Sequence, residues 1–93
     1  MPHTEPQPLP INGELDLHLF KPREAADLVK EYLIECRKRG IFSVRVVHGK
    51  GKGVLMHTVH RTLDTLDFVA DYRVGWGNRG SWGATLVELQ PPN

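Results

Sequence analysis

The sequence predicts an α/β domain in which one four-stranded mixed sheet is covered by a layer of helices. Three observations lead there. Alternating or β-branched apolar stretches recur along the chain, two amphipathic helical stretches separate the first three of them, and glycine-bearing turns punctuate the order. The chain has 93 residues, enough for one domain and too few for two. Its 40% hydrophobic and 25% charged residues exclude collagen-like, low-complexity and disordered classes.

Residues 1–13 hold four of the seven prolines (Pro2, Pro6, Pro8, Pro10) and read as a flexible arm, with residues 90–93 as a short tail. The core between them spans residues 14–89. Leu15, Leu17 and Leu19 alternate with Asp16 and His18, which predicts a strand with Asp16 and His18 on one face. Pro22 suits the first turn of a helix, Ala25, Val29, Tyr32, Leu33 and Cys36 form its apolar stripe, and Gly40 stops it. Ser43 to Val47 is a β-branched strand that runs into His48-Gly49-Lys50-Gly51-Lys52-Gly53. A second helix should bury Leu55, Val59, Leu63 and Leu66, with His57, His60, Arg61 and Asp64 on the opposite stripe. Phe68, Ala70, Tyr72 and Val74 alternate as a third strand, and Gly75 to Gly83 leads into a fourth over Ala84 to Leu89.

The resulting order is βαβαββ. Helical crossovers make strands one to three parallel, and the direct return makes the fourth antiparallel. That arrangement gathers Asp16, His18, the 48–53 turn and the 75–83 loop at one edge of the sheet, where open α/β folds bind ligands.

The net charge of +1 conceals a segregation of sign. Glu14 to Glu35 holds six acids and three bases, whereas Cys36 to Leu63 holds seven bases, three histidines and no acid. Such a stretch can present a phosphate-binding surface if its side chains converge; a solvated helix end at Arg37 to Arg39 would carry the same triplet. In the 48–53 turn every second residue is glycine. Glycines let backbone N–H groups approach an anion, the following helix adds its positive end, and Lys50 and Lys52 add charge. The turn matches neither a Walker P-loop nor G-x-G-x-x-G, so a nucleotide site is not expected; the readings left are a polyanion backbone and a flexible turn with its lysines facing water.

Asp16 and His18 can serve as a base and an acid or as a metal-binding pair, with His48 as a third ligand or proton donor; a solvated strand face would look the same. His57 and His60 read as surface or phosphate-contacting residues. Trp76 and Trp82 flank a loop carrying Arg79. That set suits stacking on unpaired bases, or loop anchoring over the sheet edge. The single cysteine, Cys36, permits no internal disulfide and no thiolate metal cage.

Leu15-Asp16-Leu17-His18, Val47-His48-Gly49-Lys50-Gly51-Lys52-Gly53 and Gly80-Ser81-Trp82-Gly83-Ala84-Thr85-Leu86-Val87-Glu88-Leu89, in that order, resemble the Smr (small MutS-related) domain in its standalone form. The resemblance implies a two-layer α/β sandwich similar to the C-terminal domain of translation initiation factor 3. It further implies an endonuclease that nicks DNA or RNA, with Asp16, His18 and Lys50 as the implicated catalytic residues. His48, Gly49, Gly51, Lys52, Gly53, Arg79 and Trp82 are then the phosphate- and nucleic-acid-binding set. The sequence departs from the family pattern at Leu19, where glycine is usual, and at Gly80-Ser81, where a double glycine is common. The alternative is a non-catalytic nucleic-acid-binding module. A divalent metal such as Mg²⁺, if one is used, would fall to Asp16 and His18. No apolar run is long enough to span a bilayer, and Met1 to Pro10 lacks the pattern of a secretory signal. The expected setting is therefore cytoplasmic and monomeric, with nucleic acid as partner and no membrane.

Overall fold

A computed structural model describes residues 10–49, 53–76 and 81–92. Four strands, β1 (Glu14–Asp16), β2 (Ser43–Val47), β3 (Val69–Trp76) and β4 (Ser81–Leu89), form one sheet in the order β1-β2-β4-β3. Two helices, α1 (Ala25–Lys38) and α2 (Val54–Asp64), connect the first three strands. β1 and β2 are parallel, and β4 runs antiparallel to both β2 and β3. The C-terminal ends of β1, β2 and β3 and the start of β4 thus meet at one end of the sheet, as the topology predicted.

Leu15, Val44, Val46, Val87 and Leu89 face Val29, Leu33, Cys36, Val59 and Leu63 in a single core. Both helices therefore lie on one face, giving two layers. All five stripe residues predicted for α1 are buried. The helix ends in a Schellman motif: Gly40 adopts φ +78°, its N–H donates to Arg37 O at 3.2 Å, and that of Ile41 donates to Cys36 O at 2.9 Å. The other sheet face is polar. Arg45 pairs with Glu14 at 2.9 Å, and the Ser43 hydroxyl donates to Glu88 at 2.7 Å.

Three expectations are corrected. First, the opening strand ends at Asp16, and Leu17–Leu19 is a 3₁₀ turn. Asp16 pairs with Val47, the last residue of β2, so residue 17 has no ladder to join, and the Asp16 carboxylate instead accepts the His18 amide. Leu17 is buried while Leu19 is 75% exposed. Second, a register shift between Val69 and Asp71 turns Ala70 outward and brings Val69 against the core. Third, the basic triplet Arg37 to Arg39 does not converge with the glycine-rich turn. It ends α1, which leads into the start of β2, so it lies at the opposite end of the sheet. Arg39 and Lys38 pair there with Glu35, and Arg37 donates to Gln90 O at 2.7 Å while covering the Phe68 ring. The Arg39 hydrogen bond and the Lys38 charge hold the Glu35 carboxyl below its ordinary range. Among the described residues no helix is long and apolar enough to cross a membrane.

Candidate functional site at the strand ends

Asp16 and His18 form a dyad because of the 3₁₀ turn. Asp16 Oδ1 accepts from the His18 backbone N–H and from ring Nδ1, each at 2.9 Å. A carboxylate can only accept, so Nδ1 carries a proton, and in the neutral ring Nε2 is the nitrogen that presents its lone pair. The buried Leu17 side chain anchors the turn between them. His18 and Asp16 side chains remain 59% and 47% exposed, so both are open to a ligand.

The dyad faces the glycine-rich turn at its first glycine. A Cβ at Gly49, where φ is +82°, would lie 2.7 Å from His18 Nε2. Only the absence of a side chain permits this approach. The N–H groups of His48 and Gly49 both donate to Gly83 O at 2.8 Å, tying the end of β2 to β4. Gly53, also at φ +82°, caps α2 without a side chain. The positive end of α2 thus opens toward the turn without a competing carboxylate. The exposed His57 ring lies over Gly53, 3.8 Å from where its Cβ would be.

His48 is only 4% exposed and Thr85 fully buried. His48 Nε2 lies 2.8 Å from Thr85 Oγ1, and its Nδ1 lies 3.0 Å from Gly49 O. His60 Nε2 reaches the same Thr85 oxygen at 2.9 Å. Burial, reinforced by the neighbouring His48, lowers the pKa of His60.

The Smr domain family model matches residues 15–90 of the chain. The chain belongs to the Smr domain family. The Smr domain of Thermus thermophilus MutS2, known from a crystal structure, superposes with a TM-score of 0.77 at 31% identity, over 86% of this chain and 100% of that one. YdaL, a stand-alone small MutS-related protein from Escherichia coli, gives a TM-score of 0.75 at 25% identity, over 84% of this chain and 64% of that one. Endonuclease MutS2 from Acetivibrio thermocellus is 34% identical and that from Clostridium botulinum 38%, each over 80 residues and 86% of this chain. The chain spans about a tenth (10%) of the length of these curated relatives.

Within this Smr domain, Asp16, His18, Gly49 and Gly53 are at the strand ends where the sequence placed them. Lys50, Gly51, Lys52 and Arg79 lie outside the described residues, as do the side chains of Trp76 and Trp82. His48 does not join the dyad as a third ligand, because both its ring nitrogens are engaged by Thr85 and Gly49. His60 is not on an outward stripe: it is half-buried, hydrogen-bonded to Thr85 and packed on Tyr72 with ring centroids 4.7 Å apart. For a cation, the dyad supplies one carboxylate and one imidazole. Among the described residues no group of three or more metal-ligating side chains exists. One carboxylate with water and phosphate oxygens still suits Mg²⁺. Gly83 ends the loop that the sequence brought to this edge, whereas the part played by Thr85 is one that sequence reasoning missed. The available signal was a hydroxyl in phase with Val87 and Leu89 on the core side of β4.

Proposed function

We propose that the domain binds nucleic acid at the strand ends and nicks its phosphodiester backbone, with Asp16, His18 and Lys50 as catalytic residues. The observation that carries this reading is the close approach of His18 Nε2 to Gly49, where a Cβ would lie 2.7 Å from the nitrogen, which brings the Asp16–His18 dyad to the start of the glycine-rich turn. Family membership supports it, as does the name endonuclease borne by relatives that share this region.

Because Gly83 O already holds the His48 and Gly49 N–H groups, the phosphate is bound by the open N-terminal end of α2, with Lys50 and Lys52 neutralising charge and Arg79 and Trp82 engaging the adjoining nucleotide. His18 Nε2 accepts a proton from a water or a sugar hydroxyl as that oxygen attacks phosphorus. The P–O bond to the leaving group breaks, and the imidazolium returns the proton to the departing oxygen. Asp16 keeps the ring in its Nδ1–H tautomer and stabilises the imidazolium. A divalent cation held by Asp16 would supply further charge neutralisation on the phosphate.

The test is plasmid relaxation together with single-stranded RNA cleavage by wild type, Asp16→Ala/His18→Ala and Lys50→Ala. Wild-type cleavage should vanish in the double variant. Lys50→Ala should lose on the order of 100- to 1,000-fold in rate, as expected for a charge-stabilising donor, and much less in affinity. Intact binding with no cleavage of any nucleic acid by wild type overturns the enzyme in favour of a binding module.

A further inference from the structure

We propose that Thr85 and His60 are positioning residues of this site, which fix His48 in one tautomer and through it the direction of the Gly49 carbonyl. The inference rests on the reading of the site above.

The hydrogen-bond chemistry leaves one arrangement for two neutral imidazoles. The Gly49 carbonyl can only accept, so His48 Nδ1 bears the proton. His48 Nε2 then accepts, and the Thr85 hydroxyl donates to it. The Thr85 oxygen is left to accept from His60 Nε2–H. The direction is thus set from α2 through β4 to the end of β2. β3 contributes as well: Tyr72 packs on the His60 ring, and its hydroxyl donates to Asp64 at 2.8 Å. The lowered pKa of His60 is consistent with the neutral ring that the relay requires.

Packing alone does not call for this arrangement. Thr85 shares its sheet face with Val87 and Leu89 and pairs with Val46, a position where valine would fit the same volume. A polar atom so buried is tolerated only when fully satisfied, and the groups that satisfy it lead to Gly49. Gly49 is the residue that meets His18 Nε2. With its carbonyl held by His48 Nδ1 and its amide held by Gly83 O at 2.8 Å, the Gly49 backbone that approaches His18 is fixed on both sides. The relay therefore acts on the reacting groups through Gly49 and touches none of them.

The experiment compares Thr85→Val, which removes the hydroxyl, with Thr85→Ser, which keeps it. The readouts are imidazole ¹⁵N NMR, amide hydrogen exchange, and single-turnover cleavage and binding of a labelled single-stranded oligonucleotide. Wild type should show His48 protonated at Nδ1 and His60 at Nε2. Thr85→Val should lose that tautomer pattern, exchange the Gly49 amide at least about tenfold faster with Val59 and Leu63 unchanged, and cleave on the order of 10- to 100-fold more slowly at similar affinity, as small misplacements do. Thr85→Ser should restore all of these. An Nε2-protonated His48 in wild type, equal losses in both variants, or an unperturbed Gly49 in Thr85→Val overturns the proposal. If Thr85→Val does not fold, His60→Leu against His60→Gln, which retains a donor, makes the same comparison. The NMR and exchange readouts decide the matter even if wild type cleaves nothing, so failure of the nuclease reading stays distinguishable.

Discussion

Gly49 is where the two halves of the candidate site touch, and its lack of a side chain is the reason they can. Gly49→Ala meets two penalties at once: a left-handed backbone disfavoured by about 1–2 kcal/mol and a methyl 2.7 Å from His18 Nε2. The expected result is a thermal midpoint lower by roughly 4–8 °C per kcal/mol, with the His18 ring displaced from Asp16. An unchanged midpoint and an unchanged His18 spectrum would show that the turn accommodates the methyl. The sequence foretold that Asp16 and His18 would sit together, but on the grounds of strand alternation. The operative cause is Asp16 accepting two bonds from His18 in a 3₁₀ turn, which periodicity does not distinguish from a short strand. Leu19, exposed where a strand would have buried it, marks that difference.

At the level of elements, α1 fixes the entry to the sheet through Tyr32. Its buried hydroxyl lies 3.0 Å from Glu14 O, 3.2 Å from Gly13 N and 3.3 Å from Asn12 N, so one side chain gathers the segment leading into β1. Tyr32→Phe keeps the ring and strands these polar groups. It should lower unfolding free energy by about 1–3 kcal/mol in urea titration and speed amide exchange at Gly13 before any residue of β2. The α1 stripe was legible in full because a long helix repeats its period over several turns. The phase of β3 was legible at Phe68 and Tyr72, which pack against the core, but not at Ala70, since a bulge between Val69 and Asp71 shifts the alternation locally and leaves no compositional trace. His60 was misplaced for a related reason: on a helical wheel it lies with Arg61 and Asp64, and it is the Thr85 hydroxyl and the Tyr72 ring, on strands remote in sequence, that engage it.

Over the whole molecule, the charge asymmetry resolves into two ends of a sheet. The triplet at residues 37–39 faces Glu35 and Gln90 at one end, and the 48–53 turn lies at the other, so the acid-free stretch is not one surface. Burial of His60 also makes stability depend on pH. Its folded pKa lies below the ordinary 6.5, so the unfolded chain binds the proton more readily. The contribution is intact above 6.5 and is lost as pH falls through that value toward the folded one. Thermal midpoints measured between pH 8 and pH 5, a range of about 3 units chosen around the ordinary histidine value, should fall on the acid side. The fall should be shallower in His60→Gln, and identical slopes would exclude His60 as the cause.

The position of β4 carries a consequence for how the protein is made. It is the last of the four strands to leave a ribosome, yet it lies between β2 and β3 and supplies the Gly83 carbonyl and the Thr85 hydroxyl. A nascent chain that has reached only β3 already contains the dyad and the turn in its sequence. It nevertheless holds two unpaired strand edges, which are prone to wrong partners, and no assembled site. Insertion of β4 therefore joins β2 to β3 and delivers Gly83 and Thr85 to the site in the same step.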